Sequence, residues 1–528
     1  MTFLSRISGL VRDQVYAWQF GASPAMDAFF VAFRIPNFMR RLSAEGSFSM
    51  AFVPVLNEYK ERGDLAAVKA LVDRVTGVLL AALLVITAGA VLLAPWLIAL
   101  IAPGFAPGSQ QAQLATQMLQ ITFPYALFIS LASLVGGVLN TYGRFAVPAL
   151  SPILLNVSLI AAAYAGAPLA AQWGFEPVLA LAWGVFVAGI LQLGFQLPSL
   201  SRLGLLPRPR LDLAHAGVRK ILKLMVPTLF GSSVAQVNLL FNTLAASLLM
   251  TGSVTWLYMS DRLLEFPLGM FGVAIGTVIL PHLSSRHAAG DPAGYSKGLD
   301  WGFRLCLLIG IPACLGLVLC AQPLLATLFQ YGKFDAEDVR MSSWSLIAQS
   351  LAVPAFLLVK VLAPAFYSRQ DTRTPVRAAV VSIVVNAVCT IGLFAGLLAL
   401  TGQGQAALAA ANGSWGGALE RIPGAHALLA LAIAVAGWVN ALQLGWYLRR
   451  ANVYQAQAGW GRFLVQVGVG AVLLVAAVVA LRGLWTDWTA WAWWERGIRL
   501  LTLVVAGGGA YAVGLLLMGY RPRDLRGH

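Results

Sequence analysis

Apolar residues run in long stretches separated by short polar connections, and a hydrocarbon core of about 30 Å needs about 20 such residues per helix. On that rule, spans are predicted near 3–21, 25–52, 70–102, 112–140, 147–167, 177–198 and 218–249, and again near 253–286, 297–326, 338–366, 376–400, 425–448, 462–482 and 497–519. The second has the weakest pattern, because charged residues interrupt it. The fold class that follows is an all-α polytopic membrane protein of about 14 transmembrane helices.

Composition agrees. Of 528 residues, 59% are hydrophobic and only 11% charged, against about 25% charged in an ordinary soluble domain. The net charge of +15 does not imply nucleic acid, since the basic residues flank the spans, where they act as a topology signal. Of the 36 Lys and Arg, the odd-numbered connections hold only Lys333, Arg340, Arg421, Arg482, Arg496 and Arg499, while 23 lie in the even-numbered connections and the C-terminal tail. Both termini are therefore expected to be cytoplasmic. Trp485, Trp488, Trp491, Trp493 and Trp494 then fall at the outer face, as an aromatic belt. No cleavable leader is expected, because Met1 is followed so soon by Arg6, Arg12 and Asp13.

Self-similarity at an offset of about 227 residues indicates an internal repeat. Phe123-Pro124-Tyr125 through Arg144 and Pro148 pairs with Val353-Pro354-Ala355 through Arg369 and Pro375, and Phe52–Leu56 pairs with Ile279–Leu283. Six helices return the chain to the side it started from, so the copies are expected as parallel lobes related by an axis along the membrane normal. The expected domains are a six-helix lobe over 1–200, a second over 201–450, and helices 13 and 14 with a short cytoplasmic tail over 451–528.

The seven remaining cations fall inside spans: Arg6, Arg12, Arg34, Arg40, Arg41, Arg262 and Lys360. Each costs about 2.5–3.5 kcal/mol at a helix centre before compensation. The nearby acids are Asp13, Asp27, Glu45, Asp261 and Glu265, too few to neutralise the group. Seven-residue spacing keeps Arg6 with Asp13, and Asp27 with Arg34 and Arg41, each on one helix face. Asp261 and Glu265 share another face, beside Arg262. Pro36 and Pro54 in helix 2, and Pro267 and Pro281 in helix 8, are expected to break those helices, as interruptions do near transporter binding sites.

Plainer readings stand beside this one. Arg6 can snorkel to the interface, Arg40, Arg41 and Glu45 can form an interfacial cluster, and Lys360 or the Asp261–Arg262 pair can be structural. Arg12, Arg34 and Arg262 are the hardest to explain in that way. Together the charges describe a water-filled cationic cavity lined by helices 1, 2 and 8, suited to an anion.

Enzymatic chemistry finds little support. The histidines form no metal-ligand spacing, the four cysteines lie in apolar runs, and there is no GxxxxGK[ST] loop for nucleotide phosphates. No cofactor or metal is expected, and ATP hydrolysis is not.

The run from Asp27 through Arg34, Asn37, Arg40, Arg41, Glu45 and Gly46 to Pro54 resembles the MurJ (MviN) family of lipid II flippases. Ser5-Arg6 with Gly9 and Arg12-Asp13, Asp261-Arg262-Leu263-Leu264-Glu265-Phe266-Pro267, Gln330-Tyr331-Gly332-Lys333-Phe334, and Ala363 through Arg369 and Asp371 carry the same resemblance over nearly the whole chain. It implies the fold of the multidrug/oligosaccharidyl-lipid/polysaccharide exporter superfamily, with helices 13 and 14 forming a hydrophobic groove. It also implies a substrate, lipid II, an undecaprenyl diphosphate bearing a disaccharide-peptide, moved across a bacterial cytoplasmic membrane by alternating access. The transport residues it implies are Arg6, Arg12, Asp13, Asp27, Arg40, Arg41, Arg262 and Glu265, to which the cavity reading adds Arg34, and then Asn37, Glu45, Asp261 and Lys360. Two departures are visible: members usually carry a longer stretch before the Ser-Arg pair, and Arg34 stands where lysine is usual. The expected partners are lipid II, membrane lipids and cell-wall synthesis proteins, with no nucleic acid. Coupling to the membrane potential or to an ion stays open. Exporters of other lipid-linked oligosaccharides or of drugs are the alternative, although a cationic-drug exporter calls for an acidic cavity.

Overall fold

The computed structural model describes residues 2–44, 47–488 and 490–521, and among them the chain is helical, without a strand. In chain order the helices are α1 (Thr2–Phe20), α2 (Pro24–Ala44), α3 (Ser47–Glu61), α4 (Leu65–Leu92), α5 (Ala94–Ile101), α6 (Gln110–Thr122), α7 (Tyr125–Thr141), α8 (Ala146–Ala161), α9 (Ala167–Gln172), α10 (Leu179–Ser201) and α11 (Ala216–Ser247). There follow α12 (Ser253–Ala288), α13 (Pro292–Leu319), α14 (Ala321–Phe329), α15 (Ala336–Ser350), α16 (Val353–Tyr367), α17 (Arg373–Leu400), α18 (Gly402–Ala410), α19 (Trp415–Leu419), α20 (Ala425–Arg450), α21 (Trp460–Gly483) and α22 (Trp493–Leu517). A π-helical turn, Ala162–Gly166, joins α8 to α9.

Every predicted span is helical, but not every one is a single apolar rod. Among the described residues ten helices, counting adjoining segments together, are long and apolar enough to cross a bilayer, or eleven if α15 and α16, bent by 43°, form one span. The figure of 14 is thus approximate. α1 and α2 fall outside the ten because they carry Arg6, Arg12, Asp13, Asp27, Arg34, Arg40 and Arg41. Several spans are divided where a proline starts a new segment: Pro95 opens α5, Pro124 precedes α7 and Pro354 opens α16. A proline at a helix start gives up an N–H that has no intrahelical partner there. The breaks expected at Pro36, Pro54, Pro267 and Pro281 do not occur there, since α2 runs through Pro36, α3 through Pro54 and α12 through Pro267 and Pro281. Within a bilayer the remaining backbone bonds hold such a helix together.

The chain folds as two compact units, Met1–Thr255 and Trp256–His528. α11 packs with the first unit, chiefly against α3. A hydrophobic cluster in each unit carries the repeat. Phe48, Phe52, Leu56, Val68, Val72, Leu134, Val135, Val138 and Leu139 lie in the core of the first unit. Ile275, Ile279, Leu283, Tyr295, Leu299, Val361, Leu362, Ala365 and Phe366 lie in that of the second, position for position at the repeat offset. Side-chain volumes differ within these pairs while burial does not, which is why residue-by-residue similarity is weak.

α21 and α22 form a hairpin held by close backbone approach. A Cβ on Gly514 would stand 2.8 Å from the Cα of Gly470, and one on Gly507 2.8 Å from Val478 Cγ2. Small residues allow this contact in lipid, where packing rather than water exclusion drives association. Gly508 and Gly509 meet nothing. The tryptophans around the α21–α22 connection do not all form an exposed belt: Trp493 and Trp494 are exposed, whereas Trp488 is buried and packed edge-on to Trp485 and Trp491.

Candidate functional site

In the first unit Arg12 is the deepest cation of the set, 6% exposed. Its Nε and Nη2 donate to Asp13 Oδ1 at 3.0 and 2.7 Å, and Nη1 donates to Asn156 Oδ1 of α8 at 3.0 Å. Asn156 Nδ2 in turn donates to Ser8 Oγ at 2.8 Å, which fixes the amide and hence the guanidinium plane. The guanidinium also lies 5.5 Å from the centre of the Tyr16 ring. A buried arginine is tolerated only when its charge and its N–H groups find partners, and here one acid, one amide and one aromatic face supply them. Asn156 escaped the sequence reading, although a lone amide in the apolar run of α8 was a usable signal.

Asp27 is also buried, and its carboxylate meets the start of α12. Its Oδ2 accepts the Gly252 N–H at 2.6 Å, and its Oδ1 accepts the Thr255 N–H at 2.9 Å and hydroxyl at 2.6 Å. These donors surround the start of α12, so the carboxylate supplies the cap and the negative charge that a helix N-terminus favours. Asp27 thus fastens the first turn of the helix that carries Arg262.

Farther along α2, Arg34, Asn37, Arg40 and Arg41 are half-buried, and Arg40 Nε donates to Asn37 Oδ1 at 2.9 Å. Arg6 on α1 is exposed. Glu45 lies outside the described residues. Among their described residues α1 and α2 carry five arginines, Arg6, Arg12, Arg34, Arg40 and Arg41, against two carboxylates, Asp13 and Asp27, and Asp27 accepts backbone N–H groups at the start of α12.

In the second unit Arg262 donates through Nη1 to Glu265 Oε2 at 2.9 Å and through Nε and Nη2 to the Tyr258 hydroxyl at 3.1 and 2.9 Å. All three lie on α12 at helical spacing, so the pair forms locally. Asp261, one residue away, accepts from Gln349 Nε2 of α15 at 2.6 Å. It therefore points toward α15 and belongs to a polar seam with Ser260, whose hydroxyl donates to the Ser342 carbonyl at 2.7 Å. Lys360 on α16 is exposed, and a Cβ on Gly272 would stand 3.4 Å from its Cγ. Gly272 lies ten residues beyond Arg262 on α12, about 15 Å along the axis. Tyr258, Thr255 and Gln349 were likewise missed, since a single sequence does not show which polar residues of distant helices meet.

A multi-helix membrane protein with arginines and carboxylates held in otherwise apolar helices, in two repeated lobes, has the make-up of a transporter. The model of the family described as "Lipid II flippase MurJ" matches residues 16–496. A lipid II flippase MurJ of Burkholderia cenocepacia is 43% identical over 482 residues, covering 90% of this chain and 87% of that protein. A probable lipid II flippase MurJ of Vibrio cholerae is 40% identical over 533 residues, covering 100% and 96%. The chain belongs to the MurJ family. A solved structure of a lipid II flippase MurJ in an inward closed conformation shares the fold with a TM-score of 0.78, at 23% identity and covering 99% of this chain and 98% of that one. An inward-facing multidrug-resistance MATE transporter of the MOP superfamily shares it more loosely, with a TM-score of 0.65 at 13% identity over 85% of this chain and 94% of that one.

Proposed function

We propose that this protein moves lipid II from the inner to the outer leaflet of the bacterial cytoplasmic membrane by alternating access, with both termini in the cytoplasm. The observation that carries the reading is the excess of arginine over carboxylate on α1 and α2, with Arg12 buried and pre-oriented by Asp13 and Asn156. Arginine forks match phosphate oxygens, often with two parallel hydrogen bonds. Arg12, Arg262 and Arg40, assisted by Arg34 and Arg41, bind the diphosphate. Asp13 and Glu265 hold two of these guanidinium groups in the absence of substrate and keep them from binding any passing anion tightly. Arg6, Asn37, Asp261, Glu45 and Lys360 are secondary candidates, and the distance of Lys360 from Arg262 along α12 puts it last.

The polyprenyl tail stays in the bilayer along α21 and α22 while the head group crosses. With no nucleotide-binding motif in the chain, transport proceeds without ATP hydrolysis. An anion moving outward is driven by an inside-negative potential worth about 2.3 kcal/mol per charge per 100 mV. A cationic-drug exporter is disfavoured by the same excess of positive charge. The test is translocation of lipid II in proteoliposomes. Arg12→Ala is expected to abolish it while the protein still inserts and purifies, and undiminished activity would remove Arg12 from the site.

A further inference from the structure

The repeat places one more pair of residues in register, and they are charged. Asp73 of α4 and Asp300 of α13 are separated by the offset that relates the two cores, and each lies about two turns from the start of its helix. Both carboxylates are buried, and both are held by the chain that leaves their own lobe. Asp73 Oδ1 accepts the Arg208 N–H at 2.7 Å and pairs with Lys69, while its carbonyl accepts the Arg210 N–H at 3.0 Å. Beside it, Arg74 Nε donates to Asp212 Oδ2 at 2.8 Å. A side chain on Gly77 would run into the Arg210 backbone, so the connection lies directly on α4. α11 starts a few residues further on.

Asp300 does the same for the second exit. Its Oδ1 accepts from the Tyr454 hydroxyl at 2.9 Å, the Gln457 N–H at 3.1 Å and Trp460 Nε1 at 2.7 Å. Its Oδ2 accepts from Arg304 Nε at 2.7 Å, and Arg304 Nη2 reaches the Ala458 carbonyl at 2.9 Å. The Arg304 guanidinium also lies against the rings of Trp460 and Phe463. α21 begins at Trp460. The two connections share no sequence, Pro207-Arg208-Pro209-Arg210 against Tyr454-Gln455-Ala456-Gln457. What the repeat preserves is the buried anchor. A carboxylate is costly to bury unless donors surround it: the outgoing connection supplies the Arg208 N–H to Asp73, beside Lys69 of α4, and most of the donors to Asp300.

We propose that Asp73 and Asp300 are equivalent positioning residues for transport. Each fastens the helix that follows its lobe, α11 after the first and α21 after the second, to the lobe that the chain has just left. The clamps stay closed throughout the cycle, so that α11 moves with the first lobe and α21 with the second. Their transport role rests on the flippase reading above, but the anchorage does not.

The full-length protein with Asp73→Asn or Asp300→Asn tests this by hydrogen exchange and by lipid II translocation in proteoliposomes. Exchange is expected to quicken at least tenfold in 208–216 for the first variant and in 454–463 for the second, each confined to its own connection, with translocation slowed at least fivefold in both. A rescue separates positioning from general damage. In a background with Cys306, Cys314, Cys320 and Cys389 replaced by Ala, Asp300→Cys with Gln457→Cys is expected to be slow when reduced and to recover at least half the parent rate when oxidised. Unchanged exchange, unchanged translocation, or arrest on oxidation would each overturn the proposal. A parent protein that moves no lipid II overturns the flippase reading and the transport role with it, while the exchange measurement still decides the anchorage.

Discussion

Arg12 and Asp27 show how differently two charges can be kept in apolar helices. Arg12 is held by side chains that leave its fork intact, whereas Asp27 is consumed by N–H groups at the start of α12. Asp27→Asn keeps the shape but turns an amide against donors and removes a charge-assisted contact, worth about 1.5–3 kcal/mol. Thermal unfolding of the purified variant should show a loss of that size, and an unchanged transition would mean that α12 starts equally well without the charge. The presence of intramembrane charges was legible in the sequence, and so were the faces they share, because both follow from composition and helical phase. Their partners were not. Asn156, Thr255 and Gln349 lie 144, 228 and 88 residues from the groups they meet, and only the packed helices bring them together.

At the scale of helices, the sequence placed the apolar helical stretches but not the exact number of spans, the proline-marked joints within them or the unbroken course of α12. Hydropathy measures how apolar a stretch is, not whether its backbone bends. The α21–α22 hairpin gives a sharper test of close packing. Gly514→Val should lower stability by about 1–3 kcal/mol through overpacking against Gly470, while Gly508→Val, which meets nothing, should stay within about 0.5 kcal/mol of the parent. Equal effects on the melting temperature would contradict that geometry. The connection before α11 makes a prediction in pH. The Arg74 guanidinium holds the Asp212 carboxyl below its ordinary 3.8, helped by the N–H groups of Ala214 and His215 against a smaller opposing effect of burial. A depressed carboxyl contributes stability above its unfolded value and loses it as pH falls through the folded one. Protection of the 212–216 amides, corrected for intrinsic exchange, should therefore be flat from about pH 5 to 8 and fall only below about pH 4. Loss of protection near neutrality would point to another group.

For the molecule as a whole, the repeat was visible as two weak matches and became firm when the buried positions of both cores fell in one register. Weakness was inherent, since packing conserves burial and total volume more than identity. Family membership carries the substrate, and the charge balance carries the mechanism. If the head group crosses as an anion, outward translocation in proteoliposomes should quicken as an imposed inside-negative potential rises, in line with about 2.3 kcal/mol per charge per 100 mV. A rate indifferent to potential would mean that charge is neutralised on the way across.

Guanidinium groups kept in these apolar helices to bind a diphosphate must distinguish a lipid that carries one from a lipid that does not. Affinity for undecaprenyl diphosphate, measured against undecaprenol for the parent and for Arg12→Ala with Arg262→Ala, addresses that distinction most directly. The double variant is expected to bind the diphosphate at least tenfold more weakly, a difference of about 1.4 kcal/mol or more, with its affinity for the uncharged alcohol unchanged. Equal losses for both lipids, or none for either, would contradict that role of the arginines.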